Sequence, residues 1–165
     1  MNQRKNRSLF FYLLSLFVVF TGCGKEAILV DQYIEIPNGN WNIDNKLTIE
    51  FDVVDTSRKN NFFITLRNTE EYKYANLYLF VTTLFPNDKT SADTIGVELS
   101  DASGKWLGKG EGFIFDSEVV TNKILYNYQK KFPLLGHYKV TLQQAMRETE
   151  LSGIIDAGIR IEQID

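Results

Sequence analysis

One cysteine, one histidine and three prolines are all that 165 residues contain of those types. A single cysteine leaves no intrachain disulfide framework and no cysteine-rich zinc site. A single histidine excludes a His-paired metal site, although a carboxylate site stays open. There is no basic excess either: 18 Lys plus Arg face 21 Asp plus Glu, for a net charge of −3. That argues against nucleic acid as a partner, because phosphate binding is carried by surplus Lys and Arg. A long apolar run is missing as well. The longest stretch, Leu9 to Phe20, is interrupted at Ser15, and it falls short of the roughly 20 residues a membrane-spanning helix needs. What the chain has in quantity is aromatics, 12 Phe, 8 Tyr and 2 Trp, in a length close to one domain of about 150 residues.

The first 23 residues give an address. Arg4, Lys5 and Arg7 precede the apolar run, which is the charge and length pattern of a secretory signal peptide. The run ends in Phe20-Thr21-Gly22-Cys23. This resembles the lipobox of bacterial lipoproteins, in which small residues precede a cysteine that is acylated before cleavage. Phe20 stands where Leu is usual. The expectation is a signal peptide over 1–22, a lipid anchor and tether over 23–30 with Cys23 as attachment site, and a folded domain over 31–165. Two or three acyl chains at about 0.8 kcal/mol per buried CH₂ hold a soluble domain stably. Cleavage removes three positive charges, so the remaining acidic domain has no net attraction to anionic headgroups. The membrane is then a partner through the N-terminal lipid alone. Gly24, in place of the Asp that can retain a lipoprotein at an inner membrane, favours the outer membrane.

The rest of the chain reads as strands between turns. Leu47, Ile49, Phe51 and Val53 alternate with polar residues, a period of two. The same period recurs at Phe62–Leu66, Leu77–Val81, Ile95–Leu99, Ile124–Tyr128, Tyr138–Leu142 and Ile155–Ile161, with Phe113-Ile114-Phe115 as a further apolar run. Leu77–Val81 has apolar residues on both faces and is placed centrally in its sheet. About nine strands without βαβ units predict an all-β antiparallel β-sandwich, jelly-roll or immunoglobulin-like. One short helix is expected at 143–148.

Chemistry is sparse. There is no Gly-x-Ser-x-Gly elbow, and His137 falls on the polar face of a strand. Gly104 to Gly112 lacks the spacing of a phosphate loop and reads as a bulged hairpin. The carboxylate pairs Asp52 with Asp55, Glu70 with Glu71 and Asp93 with Asp101 sit in turns or on polar faces, where solvation is their ordinary state. No catalytic residue, metal site or cofactor is assigned. Trp41 and Trp106 lie beside turns, where they either cap the core or present a stacking surface. Trp106, flanked by Lys105 and Lys109 in a glycine-rich segment, is the candidate partner-binding surface.

Ordered landmarks then resemble one family across the chain. After Cys23 come Tyr33-x-x-Ile36-Pro37-Asn38-Gly39-x-Trp41, then Leu66-Arg67-Asn68 and Tyr72-x-Tyr74-x-Asn76-Leu77. Phe85-Pro86-Asn87 follows, with the run Asp101-Ala102-Ser103-Gly104-Lys105-Trp106-Leu107-Gly108-Lys109-Gly110. Phe132-Pro133, Gln144-Ala145-Met146-Arg147 and Gly153-Ile154-x-Asp156-x-Gly158-Ile159-Arg160 complete the set. The chain resembles the GldH-type gliding-motility lipoproteins. The resemblance implies a non-enzymatic, membrane-anchored component of a gliding-motility and secretion apparatus, with other envelope proteins as partners. It carries over one functional position, Cys23. The alternative from the residues themselves is an envelope carbohydrate-binding β-sandwich.

Overall fold

The computed structural model describes residues 27–111 and 119–164. Cys23, Gly112 and the run Phe113-Ile114-Phe115 lie outside them. Among the described residues the elements are β1 (Ala27–Glu35), β2 (Asn40–Asn42), β3 (Leu47–Val53), β4 (Lys59–Asn68), β5 (Asn76–Leu84), β6 (Thr90–Glu98), β7 (Lys109–Glu111), β8 (Val119–Lys130), β9 (Gly136–Gln144), β10 (Glu150–Ser152) and β11 (Ile154–Ile164). Among the described residues, helix is limited to a 3₁₀ turn at Pro37–Gly39. The fold is an all-β antiparallel sandwich.

One sheet has the order β1-β11-β4-β8-β7 and the other β3-β9-β5-β6, with β10 and β2 forming a small ribbon. Leaving aside the three-residue strands β2, β7 and β10, the first long strand pairs with the last, the second with the next to last, and so inward: β1 with β11, β3 with β9, β4 with β8, β5 with β6. This is the jelly-roll winding, a long hairpin ribbon folded over itself, rather than the immunoglobulin-like arrangement. Burial follows the pleat. In β3, Leu47, Ile49, Phe51 and Val53 are buried and the residues between them exposed. They meet Tyr138, Val140 and Leu142 from β9, Leu77, Leu79 and Val81 from β5, and Ile64, Leu66, Ile159 and Ile161 from the facing sheet.

The helix expected at 143–148 is not formed. Gln143 and Gln144 end β9, opposite Phe80 and Leu79 of β5. Cross-strand pairing overrides the weak local propensity there. Gln144 is fully buried, and its side chain braces the following loop. Its Nε2 donates to Glu148 O at 2.8 Å and its Oε1 accepts from Met146 N at 2.9 Å. β5 lies between β9 and β6 as expected for a central strand. Its outward face is only half covered, since Tyr78 and Phe80 are 47% and 45% exposed. β1 begins at Ala27, inside the segment expected to be tether, and pairs with the end of β11.

Jelly-roll winding sorts the loops to two ends. The loops 54–58, 85–89 and 131–135 share one end with Ala27 and Ile164. The other end carries loops 69–75, 99–108 and 145–149 together with the 3₁₀ turn. Strands of nine residues set these ends about 30 Å apart, at about 3.3 Å per residue.

Candidate functional site

At the end away from Ala27, Asp101 organises the loop between β6 and β7. Its Oδ1 accepts from Ser103 N at 2.8 Å, Ser103 Oγ at 2.6 Å and Lys105 N at 3.0 Å. These bonds hold its carboxyl below the usual carboxylate range, the Ser103 hydroxyl contributing most. Gly104 takes φ +85 to close the turn, a left-handed conformation costly for other residues. A Cβ on Gly108 would lie 2.6 Å from Thr121 O, so the close approach to β8 needs glycine. Trp106 is half buried, its ring 6.5 Å from Tyr72. Lys105, Leu107 and Lys109 around it are exposed. The structure places Lys105 and Trp106 on this loop and Lys109 just beyond it, as the first residue of β7. Trp41 is fully buried, with Nε1 donating to Asn45 O at 2.8 Å, and offers no stacking face.

The opposite end holds a feature that the sequence did not reveal. A cavity of about 350 Å³ opens between the sheets, with walls from Phe51, Phe62, Phe85, Phe132 and Tyr138. The rings are mutually packed. Phe51 stacks on Tyr138 at 5.7 Å, while Phe132 meets Phe62 and Tyr138 edge-on, each at 5.1 Å. β4 and β8 slip register twice between Asn60 and Phe63. Gln129 beside the slip sits at φ 51, with its N–H donated to Asn61 Oδ1 at 3.0 Å. Such bulges bend a strand and re-aim its side chains. Lys130 and Lys131 also line the cavity and are exposed. Tyr126 of β8 donates its hydroxyl across to Asp93 of β6 at the same cavity. Burial, then this bond, pushes the Tyr126 hydroxyl well above the usual tyrosine range.

The carboxylates considered for catalysis do not converge. Asp52 Oδ1 lies 3.0 Å from His137 Nδ1. Asp55 binds Ser57 N and Oγ, each at 2.7 Å. Glu70 and Glu71 are exposed in a turn. Asp93, within β6, is occupied with Tyr126, and Asp101, in the loop beyond β6, with the bonds described above. His137 also faces Glu50 at 3.3 Å, and Glu50 in turn binds Lys139 at 2.6 Å. The Asp52 bond, then Glu50, raises the His137 pKa above its ordinary value. Among the described residues no three of His, Cys, Asp and Glu gather to hold a metal ion.

The outward face of the five-stranded sheet carries ion pairs that simple alternation hides. Asp156 and Glu162 are buried. Arg67 Nε donates to Asp156 Oδ2 at 2.6 Å. Lys123 reaches Glu162 at 2.6 Å, and Arg160 spans Glu162 and Asp31. Burial pushes the Glu162 carboxyl up, but the bonds from Lys123 and Arg160 outweigh it and leave the group below its ordinary value.

Fold and site together define an all-β jelly-roll domain with an apolar inter-sheet cavity at one end and an organised loop at the other. The family model for the GldH lipoprotein matches residues 28–161. The chain is 34% identical to the gliding motility lipoprotein GldH homolog of Christiangramia forsetii, covering 99% of both chains. It is 32% identical to the gliding motility lipoprotein GldH of Flavobacterium johnsoniae, covering 93% of this chain and 94% of that one. No solved structure matches. This chain belongs to the GldH family of gliding-motility lipoproteins.

Proposed function

We propose that the chain is a non-enzymatic adaptor of the gliding-motility and secretion apparatus, held in the cell envelope by acyl chains on Cys23 after loss of residues 1–22. The outer membrane is the favoured location. The observation that carries this reading is the family relation over residues 28–161, joined to the polarity of the sandwich. Ala27 lies four residues after Cys23, at most about 14 Å of extended chain, so an acylated Cys23 keeps that end against the bilayer. The loop bearing Lys105 and Trp106, with Lys109 at the start of β7 beside it, then points away from the membrane, where another envelope protein can dock on an aromatic anchor with a charged surround. Against the carbohydrate alternative, Trp41 is buried and the aromatic cavity includes neither tryptophan.

Mass spectrometry of the chain recovered from membranes tests the anchor. The expected species starts at an acylated Cys23, and Cys23→Ser accumulates as unprocessed precursor. An unmodified Cys23 on membranes overturns this part. For the motility role, the chain is expressed in a gliding bacterium stripped of its own family member. Restored colony spreading, with a crosslinked envelope protein recovered through the far-end loop, is the expected result. Normal accumulation without spreading and without any crosslinked protein overturns it.

A further inference from the structure

The cavity between the sheets is not used by the adaptor reading, and its construction points to a ligand. Protein interiors leave few voids larger than a water molecule. This one, at about 350 Å³, falls within the roughly 300–1,000 Å³ range of small-molecule sites. Its depth is apolar, formed by Phe51, Phe62, Phe132 and Tyr138 together with Ile159 and Ile161. Its rim is cationic. Lys130 and Lys131 line it, and among the described residues neither has a carboxylate within ion-pair distance. The carboxylate on the lining, Asp93, is engaged by Tyr126. The backbone is shaped around the space by two register slips and a positive φ at Gln129, conformations that persist only where the surroundings enforce them.

We propose that this cavity binds a single-chain amphiphile with an anionic head, a long-chain fatty acid or a lysophospholipid bearing a phosphate. The apolar chain runs between the sheets among the phenylalanine rings. The head stays at the rim, where Lys130 and Lys131 donate charge-assisted hydrogen bonds to its oxygens. A neutral glyceride makes no use of the two lysines, which separates this ligand from the acyl chains of a lipidated cysteine. The inference does not depend on acylation of Cys23.

The test is photocrosslinking. The full chain, purified from whichever cell fraction carries it, is mixed with palmitate bearing a mid-chain diazirine, irradiated and mapped by mass spectrometry. Crosslinks are expected on the segments around Phe62, Phe132 and Tyr138. Unlabelled palmitate should compete, with each two-carbon shortening weakening competition on the order of tenfold. Palmitate methyl ester should compete poorly, and lysophosphatidate distinguishes a phosphate head from a carboxylate head by its relative strength. Lys130→Ala with Lys131→Ala should weaken probe capture about tenfold. Phe62→Trp should fill the space and abolish capture. Thr83→Leu, at the half-exposed edge of the same cavity, does so without touching the aromatic cluster, in case the first variant fails to fold. Crosslinks scattered over the surface, or unchanged by Thr83→Leu, overturn the site. Equal competition by the methyl ester overturns the anionic head. Capture by Cys23→Ser protein alone shows that the chain's own lipid fills the cavity, and overturns a free ligand.

Discussion

Tyr126 and Asp93 bond to each other from opposite sheets, the tyrosine on β8 and the aspartate on β6, beside the mouth of the inter-sheet cavity. In a sandwich the two layers are otherwise held by non-directional apolar contact, so a polar bond between them fixes their separation at that point. Tyr126→Phe keeps the ring and removes the bond. It should cost about 1 kcal/mol, or about 4 °C of melting temperature in a domain of this size. Calorimetry reads the loss.

The same bond makes a prediction at high pH. Tyr126 holds its proton more tightly when folded, because of burial and then Asp93. Tyr138 is shifted the same way by burial, only partly offset by its bond with Leu134. A raised folded-state pKa adds stability that is complete below the unfolded value of about 10 and is lost as pH rises beyond it. The domain should lose stability above about pH 10, with tyrosinate absorbance of these residues appearing together with unfolding. Full tyrosine ionisation in a still-folded chain contradicts it.

Arg67→Met tests the hidden ion pairs. It leaves Asp156, whose side chain is 2% exposed, as a buried charge without its guanidinium. Breaking such a pair from one side costs about 3–5 kcal/mol. Chemical denaturation should show a loss of that order. A loss below about 1 kcal/mol, the range of surface pairs, would mean that water reaches the carboxylate.

His137 is the only histidine in the chain, so its NMR titration is free of overlap. Its pKa should lie above the ordinary 6.5 of the free side chain and return towards it in Asp52→Asn, with Glu50→Gln giving a smaller return. A raised histidine stabilises below about pH 6.5 and loses that contribution as pH climbs through the folded value. Glu50, lowered chiefly by Lys139 and then by His137, stabilises above its unfolded value near 4.5 and loses that contribution in acid. The cluster therefore contributes in full between about pH 4.5 and 6.5.

Trp106→Ala removes a half-buried ring packed on Tyr72. It should lower stability by about 2 kcal/mol, less than the 3–5 of a fully buried aromatic. Lys105→Ala with Lys109→Ala removes only exposed charge and should leave the melting temperature unchanged. If the loop docks a partner, that double variant accumulates normally yet fails to restore spreading. Normal spreading in the double variant takes the lysines out of the docking surface.

Much of this fold was legible because its central strands alternate cleanly. β3 reads buried-exposed without interruption, and its apolar residues announce themselves. β1 was not legible: of its nine residues Val30 alone is buried, and a register shift between Ile28 and Val30 breaks the period. β11 is legible as a strand but not for its covered outer face, since Asp156 and Glu162 find their partners only when Arg67 and Lys123 come across from β4 and β8, beside Arg160 of β11 itself. The same non-local assembly hid the cavity. Phe51 and Phe62 lie 70 residues or more from Phe132 and Tyr138, each an ordinary core residue alone, and the register slips beside their shared space carry no sequence signature. Lys105, Trp106 and Lys109 could be grouped because five consecutive residues contain them all.

Opposed ends also determine how the domain carries a mechanical load. A pull between the start of β1 and the loop around Trp106 runs along the strands, not across them. β1 is then dragged lengthwise past β11, and the paired amides from Ala27 to Glu35 resist together. A pull at right angles would open the same bonds one after another, like a zipper. If the chain is anchored and docked as proposed, it is thus loaded in its stiff direction.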